Sequence, residues 1–198
     1  MHPYSIDTEE RKNIWLCLAI ISIVLSWGFY RILDSYHISL PWWIESPSVL
    51  FFYGLLFIVF DKWAWKFFSK IGIIKIPNLT GEWTGHLRSS FDEHGTPVKV
   101  TLKIFQTWTR IRILLDAEQS WSQSETAYVT LNTPEGKYLY YQYMNEPKML
   151  VAKTMSIHHG TAKLLLDEKQ DTLVGEYYSG RDRQNYGSLD LKRSTMHI

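Results

Sequence analysis

The chain has 198 residues, 45% of them hydrophobic, and its 21 Lys and Arg against 20 Asp and Glu leave a net charge of +1. Charge this close to balance excludes a general binder of DNA or RNA polymers, so any anion site has to be local. The single cysteine, Cys17, lies inside an apolar run, which excludes an intrachain disulfide framework and a cysteine-built zinc site.

In chain order, the first feature is "IWLCLAIISIVLSWGFY", residues 14–30, which carries no charge. About 17 positions at 1.5 Å each make roughly 26 Å of helix, against a bilayer core of about 30 Å. Extension past Arg31, whose head can reach the interface, to Leu33 closes the gap. No small-residue cleavage pattern follows, so the run reads as a retained anchor rather than a signal peptide. A second run, "IESPSVLFFYGLLFIVF", occupies residues 44–60, with Pro47 near its start, where a helix tolerates proline. Trp42 and Trp43 in the connection are placed as interfacial aromatics, and residues 61–72 read as the second helix running on into the interface.

Arg11 and Lys12 precede the pair and Lys62, Lys66, Lys70 and Lys75 follow it, against Arg31 alone between the runs. The positive-inside rule then puts both ends in the cytoplasm. Residues 1–76 are therefore expected to be a two-span membrane hairpin; the alternative is a soluble protein with two buried core helices. No ionisable residue falls in the middle of either run, which leaves a proton relay without support. Two helices enclose no pore, so any pore needs several copies.

After "KIPNLTG" the period changes to two. Val98, Val100, Leu102 and Ile104 alternate with Lys99, Thr101 and Lys103, and Ile111, Ile113 and Leu115 alternate with Arg110 and Arg112. The pattern predicts strands near 82–90, 98–106, 108–116, 122–131, 137–145, 161–167, 172–179 and 186–193, separated by turn signals such as "TPEG" and "DEKQD". So many short strands without intervening helices close most economically into a small barrel, which removes the sheet edges. The expected fold is membrane plus all-β: an N-terminal two-helix transmembrane hairpin followed by a small eight-stranded up-and-down β-barrel over 77–198, with a sandwich as the alternative. Predicted interior residues are Trp83, Leu87, Val100, Leu102, Ile111, Ile113, Ala127, Val129, Leu139, Tyr141, Leu164, Leu166, Leu173 and Leu189. "GEW" at the start of the first strand and "LKR" at the end of the last are similar to the Gly-x-Trp and terminal arginine that close one end of lipocalin-like barrels. That resemblance puts Trp83 and Arg193 at the membrane-proximal floor.

The opposite end, the mouth, then gathers the candidate ligand residues: Tyr143 and Asn145 from "YYQYMNEP", Tyr177, and Arg181, Arg183 and Tyr186 from the hairpin "SGRDRQNYG". Arginine offers a bidentate fork to phosphate and tyrosine a flat face to a base. The same tip also reads as a solvated turn with Asp182 neutralising its neighbours. His158 and His159 are adjacent, so on an extended segment they point opposite ways and make a poor metal pair. No nucleophile elbow, phosphate loop or zinc-protease helix is present, so neither an enzyme nor a resident cofactor is expected.

The order of parts, two spans and then "NLTGEWTGHLRSS", "YYQYMNEP", "HHGTAKLLL" and "LVGEYYSGRDRQNYG" on a minimal barrel, resembles the two-transmembrane β-barrel effectors of bacterial cyclic-oligonucleotide-based anti-phage signalling (CBASS). This is a nucleotide-synthase-associated, β-strand-rich effector domain family. The resemblance implies a receptor in the bacterial inner membrane, activated by a cyclic dinucleotide from a partner nucleotidyltransferase. It further implies homo-oligomerisation among membrane lipids and membrane disruption that kills the infected cell. The alternative is a constitutive membrane-anchored, lipocalin-like barrel for a lipid or small apolar ligand; a packed interior with a site at the mouth favours the first, an open apolar interior the second.

Overall fold

A computed structural model of the chain describes residues 1–37, 41–149, 156–180 and 184–194, with residues 42–47 described through their backbone alone. The expected side-chain positions of Trp42 and Trp43 therefore lie outside the described residues, as do Arg181, Asp182 and Arg183. Two compact units are present: Thr8–Ile74 is one, and Met1–Asp7 together with Lys75–Ile198 is the other.

The helical unit comprises α1 (Glu10–Ser35), α2 (Trp42–Val59), a π-type turn over Phe60–Ala64 and α3 (Trp65–Lys70). The second helix therefore does run on past residue 60, through a turn of the wider kind that helices adopt as single insertions. Glu10–Ser35 and Ser48–Lys70 are long and apolar enough to cross a bilayer. Their apolar side chains point outward: Leu16 is 63% exposed, Trp27 63% and Leu50 73%. A buried pair of soluble-protein core helices would cover those residues, so this exposure favours the membrane reading. The two helices meet through the Ser26 and Ser48 hydroxyls, 2.6 Å apart, and through the edge-to-face rings of Phe29 and Phe52 at 5.9 Å. Such small polar contacts are the means by which helices associate where lipid removes the hydrophobic drive.

The second unit is a closed antiparallel barrel of eight strands: β3 (Gly81–Ser89), β4 (Val98–Gln106), β5 (Arg110–Ala117), β6 (Ser120–Thr133), β7 (Gly136–Pro147), β8 (His158–Leu166), β9 (Thr172–Ser179) and β10 (Tyr186–Arg193). Sequential neighbours pair, β10 returns to β3, and β5 pairs β6 to complete the circle. Inward and outward residues alternate as the period-two pattern requires, and all the predicted interior residues lie in the core or, for Leu87, packed against it.

The floor closes as the lipocalin-like resemblance implies. Trp83 is fully buried, and the Arg193 guanidinium stacks 4.2 Å from its ring centroid. Arg193 also donates to the carbonyls of Gln170, Thr80 and Asn78 at 3.0, 2.9 and 2.9 Å. One side chain thus satisfies three carbonyls on two chain segments at the floor.

Two further strands stand outside the sequence expectation. β1 (His2–Pro3) pairs antiparallel with β5, as His2↔Ile111 and Pro3↔Arg110, while β2 (Ser5–Ile6) pairs parallel with β6, as Ser5↔Tyr128 and Ile6↔Val129. They fill a gap, because β5 and β6 pair directly only from Leu114↔Gln123 to Asp116↔Trp121. Tyr4 between them is 3% exposed and joins the barrel core. The Asp7 carboxylate accepts the Leu131 and Asn132 amides at 2.9 and 3.2 Å. The first seven residues, which the sequence reading left with the membrane hairpin, are therefore hydrogen-bonded into the barrel sheet.

Gln106, 3% exposed, ties this segment to the chain entering β3: its amide oxygen accepts the Leu79 N–H at 2.8 Å, and its amide nitrogen donates to the Tyr4 hydroxyl at 3.1 Å and the Pro77 carbonyl at 3.3 Å. Gln106→Leu, similar in size but without the amide, strands those buried groups and is expected to lower stability by about 1 to 3 kcal/mol in denaturant titration of the full chain. An unchanged midpoint would show the knot to be dispensable.

Candidate functional site

The lower half of the barrel is solid, filled by Trp83, Leu102, Ile104, Ile111, Ile113, Leu139, Leu164 and Leu173, each no more than 1% exposed. Above that packing, the mouth half holds a cavity of about 420 Å³, within the range of small-molecule sites. Inward-facing residues of every strand except β4's lower half line it: Leu87 and Ser89 from β3, Val98 from β4, Leu115 and Ala117 from β5, Ser120 and Ser122 from β6, Tyr141, Tyr143 and Asn145 from β7, His158 from β8, Tyr177 and Ser179 from β9, and Leu189 from β10. Phe91, Asp92 and Thr96 overhang it from the β3–β4 connection.

The tyrosines are held by glycines across the strand pairs. Tyr143 lies opposite Gly160 and Tyr177 opposite Gly187. A Cβ at Gly160 would collide with the Tyr143 phenol, and one at Gly187 with the Tyr177 ring. Each ring therefore covers a bare stretch of backbone, a device that fixes its plane. Tyr141 sits below, its ring centroid 6.0 Å from that of Tyr143. Burial first, and the neighbouring Tyr143 second, push the Tyr141 phenol well above the usual tyrosine range, so it remains a neutral donor in the cavity.

Among the described residues that line the cavity, the side chains charged at neutral pH are acidic, Asp92 and Glu118. The Thr96 amide, donating to the Asp92 carboxylate at 2.8 Å, holds that group below the usual carboxylate range. His158 is 7% exposed, and its Nδ1 lies 3.1 Å from the Ser156 carbonyl. A carbonyl can only accept, so Nδ1 carries a proton.

Of the predicted site residues, Tyr143, Asn145 and Tyr177 come together on the cavity wall. Tyr186 does not join them: the first residue of β10, it faces outward, 55% exposed, with its ring 5.5 Å from His94 in a shallow groove shared with Glu176 and Tyr178. Arg181 and Arg183 fall outside the described residues, between Gly180 and Gln184, whose amide donates to the Gly180 carbonyl at 3.1 Å. Asn185, just beyond, lines the cavity. Sequence reasoning missed Phe91, Ser122 and His158. Counting back by twos from Ala162 along "HHGTAKLLL" places His158 inward, while His159 points out to Glu125 at 3.1 Å. The two histidines thus face opposite ways, as adjacent strand residues must.

Comparison with known proteins agrees with this architecture. A family model described as "Cap15, cyclic dinucleotide receptor domain" matches residues 74–193, and one described as "Cap15, TM helices" matches residues 12–66. A CD-NTase-associated protein 15 of Yersinia aleksiciae is 33% identical over 185 residues, covering 89% of this chain and 85% of that protein. The protein of the same name from Staphylococcus schleiferi is 33% identical over 132 residues, 66% of this chain and 68% of its own. With a two-span helical unit and a receptor barrel both matched, the chain belongs to the CBASS-associated Cap15 family, the CD-NTase-associated protein 15 proteins.

Proposed function

We propose that this chain is the membrane-disrupting receptor of its CBASS system. A cyclic dinucleotide made by the partner nucleotidyltransferase binds in the barrel mouth, the protein assembles with copies of itself, and the assembled helices breach the bacterial inner membrane. The observation that carries this reading is the cavity's position and lining: it stops at a solid floor and presents the faces of Tyr143 and Tyr177 with Ser122, Asn145 and His158 around them. Bases stack on such faces, each worth about 1 to 3 kcal/mol, and hydroxyl and amide groups read their edges. A lipid-binding barrel needs an apolar interior open along its length, and here that space is filled. Arg181 and Arg183 supply the charge that two phosphodiesters require. The basic residues flanking the helices support a cytoplasmic barrel, where such a ligand is made. Binding and assembly suffice for this function, so no catalytic group is assigned.

The test is a thermal-shift screen of the detergent-solubilised chain against cyclic di- and trinucleotides. A ligand present at about 100 times its Kd stabilises by about 2.7 kcal/mol, and one cyclic dinucleotide is expected to raise the melting temperature where linear dinucleotides do not. No shift with any cyclic nucleotide, or a shift with fatty acids instead, would transfer the protein to the lipid-binding reading. With the ligand in hand, Tyr177→Ala is expected to weaken binding by about 1 to 3 kcal/mol and Tyr177→Phe to leave the stacking share intact, as read by calorimetric titration.

A further inference from the structure

Neither family match includes the first eleven residues, since they begin at 12 and at 74. Yet Met1–Asp7 is built into the receptor barrel, and it leads within three residues into α1. The seam it fills is the one place where the barrel closes on itself by three residue pairs instead of seven or more. The middle one of those pairs is also cavity wall: Leu115 pairs with Ser122, and both line the ligand space.

The connection continues downward through hydrogen bonds. Ser124, one inward position below Ser122 and opposite Tyr143 in register, accepts the Ile113 amide on its hydroxyl oxygen at 2.9 Å. The same hydroxyl is hydrogen-bonded to Nε2 of His2 at 2.8 Å. Nδ1 of His2 lies 2.9 Å from the Pro3 carbonyl, which only accepts, so Nδ1 carries a proton. One serine thus joins β5, β6 and β1 directly beneath the cavity. Each inserted strand is two residues long, so few ladder bonds hold it against the long edges beside it.

We infer that β1 and β2 are a displaceable closing strand: ligand in the mouth shifts the β5–β6 closure, the segment Met1–Asp7 leaves the seam, and the release passes directly to α1. The inference rests on the reading that a cyclic dinucleotide occupies the mouth, and it adds the route by which occupancy reaches the membrane helices. A ligand drives such a change only through differing affinity for the two arrangements, and here the closure it would move forms part of its own site.

A reversible bridge tests this in the full chain. Pro3 and Arg110 are register partners and both face outward, so Pro3→Cys with Arg110→Cys, in a Cys17→Ser background, places a disulfide across the seam. The protein is reconstituted in dye-loaded vesicles of phosphatidylethanolamine and phosphatidylglycerol, with the cyclic dinucleotide found in the screen on both sides. At saturating ligand the bridged form is expected to release less than about a tenth as much dye as the reduced form and to bind that ligand about three- to tenfold more weakly, since it is held in the arrangement of lower affinity, with reductant restoring both. Equal leakage from bridged and reduced protein overturns the inference and leaves the receptor reading standing. Failure of the bridge to form under oxidant overturns the strand's place in the seam. If the parent chain binds ligand but releases no dye, the membrane-disruption reading falls, and the inference falls with it.

Discussion

Exchanging Arg181 and Arg183 together for alanine is expected to weaken cyclic dinucleotide binding by roughly 3 to 6 kcal/mol, about 10²- to 10⁴-fold. The reason lies in the cavity wall. A cyclic dinucleotide brings two negative phosphodiesters, and the charged side chains among the described lining residues are Asp92 and Glu118, of the same sign. Hydroxyls and amides solvate an anion but do not neutralise it, and a desolvated anion without a cation is costly. In the proposed function that task falls to Arg181 and Arg183, which lie outside the described residues; Asn185, two positions further along the chain, is cavity wall. Calorimetric titration of the parent and the double variant measures the loss, with melting temperature as the check on folding. A double variant within twofold of the parent would return the tip to a solvated turn.

The second large effect is on stability. Trp83→Ala removes a fully buried indole from the floor and is expected to cost about 3 to 5 kcal/mol, a large share of the 5 to 15 kcal/mol typical of a whole domain. The loss has three parts: the cavity left behind, the indole N–H bond to the Leu79 carbonyl at 3.1 Å, and the face on which the Arg193 guanidinium stacks. Arg193 keeps its three carbonyl partners, which anchor it without the ring. Urea unfolding of the solubilised chain measures the change, and the folded protein should bind ligand as before, because the site is at the opposite end. A loss below about 1 kcal/mol would mean that the barrel closes its floor by other contacts.

What the sequence made legible was what repeats or has one physical solution. Strict alternation from Val98 to Ile104 and from Ile111 to Leu115 set the inward face of β4 and β5 without ambiguity, and the observed strands follow the predicted ones closely throughout. Trp83 and Arg193 were legible through the resemblance of "GEW" and "LKR" to the end closure of lipocalin-like barrels. β1 and β2 were not: two residues each, one of them proline, show no period, and only the gap between β5 and β6 gives them a partner. Parity also failed locally. A bulge between Ser124 and Thr126 moves the inward face of β6 from even to odd positions, so that Ser122 and Ala127 both point in. Tyr186 was placed by nearness to the hairpin tip, whereas strand parity gives the inward position to Gly187.

The seam also sets an order of events during synthesis. His2 must find Ser124 and Asp7 must find Leu131, partners 122 and 124 residues further along the chain. At about 5 to 20 residues per second, the ribosome needs roughly 6 to 25 seconds to deliver them. In that interval both apolar helices, complete by residue 70, have emerged and can enter the bilayer, while the barrel is still incomplete. The first strands made thus wait for partners made after both helices, and slow translation through residues 110–133 would lengthen that wait.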